Sequence, residues 1–138
     1  MCPGGASFTT ALMVTLPIEC SLYVNNTDST RQAYNQNGGT SCDDVVFPVS
    51  TWVRFIGGSG SLLANCPVPF RHCRATTPGW YSGTYPSVAG TTSTGIVCFN
   101  WGTDTCMWNI SISVINCNGF YIFDLSPPPI CDARFCTI

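Results

Sequence analysis

Cys106-Met107-Trp108-Asn109-Ile110-Ser111-Ile112-Ser113-Val114-Ile115-Asn116-Cys117-Asn118-Gly119-Phe120-Tyr121-Ile122-Phe123-Asp124-Leu125 is the stretch that decides the fold. From Trp108 to Val114 the residues alternate, with Trp108, Ile110, Ile112 and Val114 on one side and Asn109, Ser111 and Ser113 on the other. A strand sends successive side chains to opposite faces, so this segment reads as a half-buried strand. Asn118-Gly119 tolerates positive φ at both centres of a type I′ turn, and the run from Phe120 to Leu125 is its return strand. With those two residues as the loop, Val114 faces Phe123, Ile112 faces Leu125 and Ser113 faces Asp124. The apolar face so formed requires a second layer over it. Near the turn the opposite face is apolar as well, through Ile115, Cys117, Phe120 and Ile122, so that end also requires a cover.

A chain of 138 residues is one domain by length and can bury roughly two-thirds of its unfolded surface. Its 10 cysteines include no Cys-x-x-Cys pair, and His72 is the only histidine, so the tight ligand spacing of a metal site is absent. No metal and no cofactor are expected. The even, dispersed cysteine count implies disulfides and a secreted, extracellular setting. Five arginines, no lysine and seven acids give a net charge of −2, which excludes the basic footprint of a nucleic-acid partner. So little charge is awkward for a freely soluble monomer. Either glycans supply solubility or other subunits cover part of the surface. No stretch approaches the roughly 20 apolar residues of a membrane span. Ala11 to Ile18 is apolar, but no basic residue precedes it and Cys2-Pro3-Gly4-Gly5 lies in front, which is not a signal-peptide pattern. Met1 is therefore expected to open an excised segment or a mature chain.

Taken in order, Ser7 to Leu16 reads as a strand ended by Pro17. It is read as an edge strand of the domain, the sharper alternative being an arm that pairs with another chain. Trp52 to Ile56 is a strand closed by Gly57-Gly58-Ser59-Gly60, with Ser61 to Ala64 as a candidate hairpin partner. Ile96 to Trp101 is another, turning at Gly102-Thr103-Asp104 into the Trp108 strand. Cys20 to Tyr34, Asn35 to Ser41, Cys66 to Tyr85 and Ser87 to Gly95 read as loops, with Trp80, Tyr81 and Tyr85 as anchors to the core. Pro127 to Pro129 ends the sheet, because proline cannot donate to a ladder. Cys131 to Cys136 is a short terminal staple. No helical period exceeds two turns. The predicted class is all-β, or β-dominated: disulfide-stapled antiparallel sheets with long loops.

Catalytic patterns are weak. His72, the only candidate base, sits between Arg71 and Cys73-Arg74, cations that disfavour its protonated form. Arg71, His72 and Arg74 could form a small anion or glycan-sulfate site, though a solvated loop is the plainer reading. Asp43 and Asp44, as sequence neighbours, point apart and suit a turn better than a glycosidase pair. Gly57-Gly58-Ser59-Gly60 lacks the helix a phosphate loop needs. No catalytic residue is assigned and the chain is not read as an enzyme. Two N-glycosylation sequons stand out, Asn25-Asn26-Thr27 in a polar loop and Asn109-Ile110-Ser111 on the polar side of the central strand. Both asparagines are expected to carry glycan, unless another strand or subunit covers the face of Asn109.

Several segments together resemble the eight-cysteine domain of uromodulin and pancreatic zymogen-granule glycoprotein 2. They are Trp52-Val53-Arg54-Phe55-Ile56-Gly57, the close pair Cys66 and Cys73, and Pro78-Gly79-Trp80-Tyr81-Ser82-Gly83-Thr84-Tyr85-Pro86. Cys98-Phe99-Asn100-Trp101, Cys106-Met107-Trp108 running to Cys117, and Pro128-Pro129-Ile130-Cys131 with Asp132 to Cys136 complete the set. The match runs from about Cys20 to Cys136 in order and spacing. It implies a uromodulin-like domain over 20–138, which leaves residues 1–19 as the N-terminal strand or arm already read, tethered by Cys2. It further implies the disulfides Cys20–Cys117, Cys42–Cys131, Cys73–Cys136 and Cys98–Cys106. The first would lay the N-terminal segment over the apolar turn end. In that family the counterpart of Cys66 bonds the first of two adjacent cysteines, a place held here by Thr105. That leaves Cys66 for Cys2, with a bond from Cys2 to another subunit as the alternative.

The resemblance implies a non-enzymatic secreted glycoprotein. In the family a mannose-rich glycan on this domain captures bacterial adhesins; its sequon corresponds here to Asp124-Leu125-Ser126, which has no Asn, so that role does not transfer directly. The function expected is an extracellular module that contacts proteins or glycans without catalysis. The alternative is a structural subunit of an extracellular filament, self-associating through the Ser7–Leu16 strand or the Ile115/Phe120/Ile122 patch.

Overall fold

The structure, a computed structural model, describes Cys2 and residues 15–138. The expected Ser7–Leu16 strand therefore lies outside the described residues except for Thr15 and Leu16. The strands are β1 (Val24–Asn26), β2 (Thr51–Phe55), β3 (Thr77–Ser82), β4 (Thr92–Trp101), β5 (Asp104–Asn116), β6 (Tyr121–Leu125) and β7 (Ala133–Phe135). One turn of helix, α1 (Asp43–Val46), precedes β2. All seven strands join one sheet in the order β1-β2-β6-β5-β4-β3-β7. The inner pairs are antiparallel, while the outermost pairs, β1–β2 and β3–β7, are parallel.

The β5–β6 hairpin is the one its sequence describes. Val114 pairs with Phe123 and Ser113 with Asp124, and the Cys117 N–H donates to the Phe120 carbonyl at 2.8 Å. Asn118 and Gly119 hold φ of 62° and 116°, the positive values that Asn-Gly accepts at little cost. The apolar face of this hairpin is covered mostly by the sheet itself. Val53 and Phe55 of β2, Tyr81 of β3, Phe99 of β4 and Phe135 of β7 curl over it, with Phe47 and Leu63 filling in. Backbone bonds close the curl: Thr137 N–H donates to the Arg31 carbonyl (2.9 Å), Ala33 N–H to Thr137 (2.7 Å) and Ile138 N–H to Leu62 (2.9 Å). The tail of β7 thus reaches chain beyond both β1 and β2, pairing edge groups that would otherwise be exposed.

Three segments read as loops contain strands, and the Cys131–Cys136 staple contains a fourth, β7, so the sheet does not end at Pro127–Pro129. Pro78-Gly79 disguises β3, but the proline costs little there. Thr77 N–H donates to Asp132 and Gly79 C=O accepts from Cys136, while the β3–β4 ladder begins only at Gly79, so the missing N–H falls outside both ladders. The end of the Ser87–Gly95 stretch lies in β4, where Gly95 leaves room for Tyr81: a Cβ would sit 2.8 Å from a ring carbon. β1 and β7 are three residues each and follow their parallel partners. Ser61 to Ala64 is not the hairpin partner of β2. Leu63 bridges Thr137 instead, and Ala64 N–H donates to Cys136.

The second apolar patch is covered by its own chain, which corrects its reading as an assembly surface. Ile115, Cys117 and Ile122 are buried with Cys20 beneath Tyr23 and Trp52, and the Arg54 guanidinium lies 3.8 Å from the Phe120 ring centroid. In the structure the sulfurs join as Cys2–Cys66, Cys20–Cys117, Cys42–Cys131, Cys73–Cys136 and Cys98–Cys106, at Cα separations of 4.6 to 5.9 Å.

Candidate interaction surface

A buried ion network sets the frame on which the surface is built. Asp43, in the single turn of α1, meets Arg31 through both carboxylate oxygens at 2.7 Å, and both side chains are fully buried. The same carboxylate accepts the Phe135 N–H at 2.7 Å and lies 3.7 Å from Arg134 Nε. Arg134 continues outward to Asp28 at 2.5 Å and to the Thr30 hydroxyl at 2.9 Å. The chain before β2 is thereby locked to β7. Bidentate pairing explains why arginine occupies these places. Asp44 is exposed, so the two neighbouring aspartates do point apart.

Burial pushes the Asp28 carboxyl up, but hydrogen bonds from the Thr30 hydroxyl, Arg134 and the Thr30 N–H, with the Arg134 charge, outweigh it and bring the group from 3.8 to about 2. A folded value below the unfolded one adds stability above the unfolded pKa, and that stability is lost as pH falls through the folded value. The expected result is a denaturant midpoint that falls from about pH 4 to about pH 2, with Asp28→Asn removing this residue's share of the slope. Guanidinium titrations across that window measure it. An unchanged slope in the variant would remove Asp28 from the account.

The residues considered for chemistry take structural places. His72 Nδ1 lies 2.8 Å from the Ala33 carbonyl. Cys42, Asp44 and Cys131 come close enough to suggest a metal site, but both sulfurs belong to one disulfide and offer no thiolate. A cleft of about 430 Å³ opens beside the β5–β6 turn, lined by Arg54, Ile56, Gly57, Ser61, Gly119 and Phe120. It begins where the β2–β6 ladder, whose last pair is Val53–Phe123, gives way. Arg54 is already engaged there, donating to the Tyr23 hydroxyl at 3.1 Å.

Both sequon asparagines face solvent. Asn25 is exposed in β1, and Asn109 is exposed in β5 opposite Cys98. Asp124, where the resembling family carries its sequon, is half-buried and accepts from the Ser50 hydroxyl. On the loop between Cys66 and β3, Arg71, Cys73 and Arg74 all have left-handed backbone, with φ of 63°, 47° and 57°. Bonds from Cys73 N–H to Asn35 and Arg74 N–H to Asn37, with the Cys73–Cys136 bridge, hold that shape.

The sequence model of the uromodulin-like domain family matches residues 53–137, which run from β2 through β7. The chain belongs to that family. Rat uromodulin is 32% identical over 119 residues and mouse uromodulin 33%, each alignment covering 86% of this chain and 18% of the relative. Human pancreatic secretory granule membrane major glycoprotein GP2 is 28% identical over 120 residues, covering 86% of this chain and 22% of the relative. The chain spans about a fifth of the length of these relatives. Three of the five bridges of this uromodulin-like chain reach outside the family match, because Cys2, Cys20 and Cys42 precede residue 53.

Proposed function

We infer that the chain is a non-enzymatic extracellular uromodulin-like module that carries N-linked glycans at Asn25 and Asn109 and makes contacts with extracellular proteins or glycans. The observation that carries this reading is the exposure of both sequon asparagines on strands of a sheet stapled by five disulfides. The staples suit an oxidising compartment. A glycan on Asn25 also hinders another chain from pairing along β1, an edge strand among the described residues. Non-reducing peptide mapping of secreted material, with glycans retained, tests both features. The expected result is glycan on Asn25 and Asn109, Cys2 bonded to Cys66 within one chain, and loss of one glycan mass each in Asn25→Gln and Asn109→Gln. Bare asparagines on secreted protein would sink the reading.

The filament subunit is a second reading with one support. Ile18, Leu22 and Val24 are 71%, 64% and 50% exposed in and just before the edge strand. An apolar run there suits pairing with a second copy. Asn25 decides between the readings: a filled site with a monomer at high concentration favours the module, and a bare one with concentration-dependent assembly favours the filament.

A further inference from the structure

A strip of aromatic side chains crosses the surface at the far end of the β4–β5 hairpin. Phe70 and Trp101 stack edge to face with centroids 5.5 Å apart, and Trp101 and Trp108 do the same at 6.2 Å. Phe70 is 36% exposed and Trp101 45%. Arg71 continues the line, its guanidinium carbon 6.0 Å from the Phe70 centroid. Tryptophan left this open to water is costly, so an exposed aromatic run asks for an explanation.

The local structure is arranged to present it. The β4–β5 ladder is irregular between Phe99 and Trp101, and such a bulge re-aims the side chain that follows. Cys98–Cys106 staples the two strands close to both tryptophans, and the Asn100 side chain donates to the Val68 carbonyl at 2.8 Å, fixing the Phe70 loop against β4. Arg71 is held left-handed, with a Cβ at Gly38 placed only 2.9 Å from its own. Among the described residues, Arg71 and Arg74 form no ion pair, whereas Arg31 and Arg134 are committed to the buried network and Arg54 to Tyr23 and Phe120. The strip therefore ends in uncompensated positive charge on a chain whose net charge is −2.

We propose that the Phe70–Trp101–Trp108 strip, with Arg71 at its end, binds an oligosaccharide bearing a carboxylate or sulfate. The C–H faces of pyranose rings suit exposed aromatic surface, and a guanidinium matches a carboxylate or sulfate through paired N–H donors. Three partly exposed rings offer well under the roughly 800 Å² per partner that a stable protein interface buries, so a few sugar units fit better than a protein face. This inference deepens the contact-module reading and rests on it only for the extracellular setting of the ligand.

The test is titration of the secreted, glycosylated chain with 3′-sialyllactose, 3′-sulfolactose and lactose, read by intrinsic tryptophan fluorescence and by calorimetry. Saturable binding is expected for the acidic sugars, with lactose weaker by about tenfold or more, the scale of one charge-assisted hydrogen bond. Which acidic sugar binds better separates carboxylate from sulfate recognition. Arg71→Gln is expected to bring the acidic sugars to the level of lactose, and Trp101→Ala to abolish binding of all three; Trp101→Leu keeps an apolar side chain there in case alanine unsettles the hairpin. Equal affinity for lactose, no saturable binding, indifference to both Trp101 variants, or a glutamate-rich peptide binding as well as the sulfated sugar would each overturn the proposal. Failure here with both sequons filled leaves the module reading intact, and bare sequons with intact sugar binding do the reverse.

Discussion

Replacing Asp43 with alanine is expected to lower the unfolding free energy by about 3–5 kcal/mol, the usual cost of stranding one member of a buried ion pair. Its carboxylate neutralises the fully buried Arg31 through two bonds of 2.7 Å and also receives the Phe135 N–H. Without it a guanidinium is left in the core near the Phe47 ring, 5.3 Å from its centroid, with the Phe135 carbonyl at 3.2 Å as its remaining acceptor. Two comparisons separate this cause from general damage. Asp44→Ala, one residue away but exposed, is expected to change stability by no more than about 0.5 kcal/mol. Arg31→Met combined with Asp43→Ala is expected to lose less than Asp43→Ala alone, because the stranded charge is gone. Guanidinium unfolding of the oxidised proteins measures all three. A cost under about 1 kcal/mol for Asp43→Ala would show that water reaches Arg31 and that the pair is not buried in solution.

That network was the part of the molecule least legible in the sequence. Arg31 stands in a polar stretch and Asp43 beside a cysteine, and nothing in their spacing says that β7 will arrive between them. The one usable signal was five arginines without a lysine, since bidentate burial favours the guanidinium. The β5–β6 hairpin was legible because its information is local: a period of two along Trp108–Val114 and an Asn-Gly turn. The same alternation placed Asn109 in solvent. β1 and β7 were invisible because three residues carry no period and parallel partners far along the chain define them. Proline and glycine hid β3, although partner geometry makes both acceptable. The aromatic strip comes together only through tertiary contact: Phe70 and Trp101 are 31 positions apart, joined by the Asn100–Val68 bond and the bulge. The resemblance supplied what periodicity could not, the cover over Ile115 and Ile122, by carrying Cys20 to Cys117.

Removing that bridge, as Cys20→Ala with Cys117→Ala, is the other large effect, and its size follows from loop closure. The bonded residues are 97 apart in sequence, but with the other bridges intact the shortest route between them passes through Cys42–Cys131 and closes a loop of roughly 40 residues. The chain-entropy account gives a loop of that length about 4 kcal/mol, against about 2.6 kcal/mol for the short loop of Cys98–Cys106, whose residues are 8 apart. The ranking is reinforced by what each bridge covers. Cys20 and Cys117 sit inside the cluster with Ile115 and Ile122, so releasing them lets the segment before β1 lift and wets two buried isoleucines. Cys98–Cys106 spans two strands that remain paired from Thr92 to Phe99 without it. The expected result is a larger loss of denaturant midpoint for the Cys20/Cys117 double variant than for Cys98→Ala with Cys106→Ala, together with a rise in binding of a hydrophobic dye in the first alone. Equal losses with no dye binding would mean that Tyr23, Trp52 and Arg54 hold the cover in place unaided and that the bridge only records where it lies.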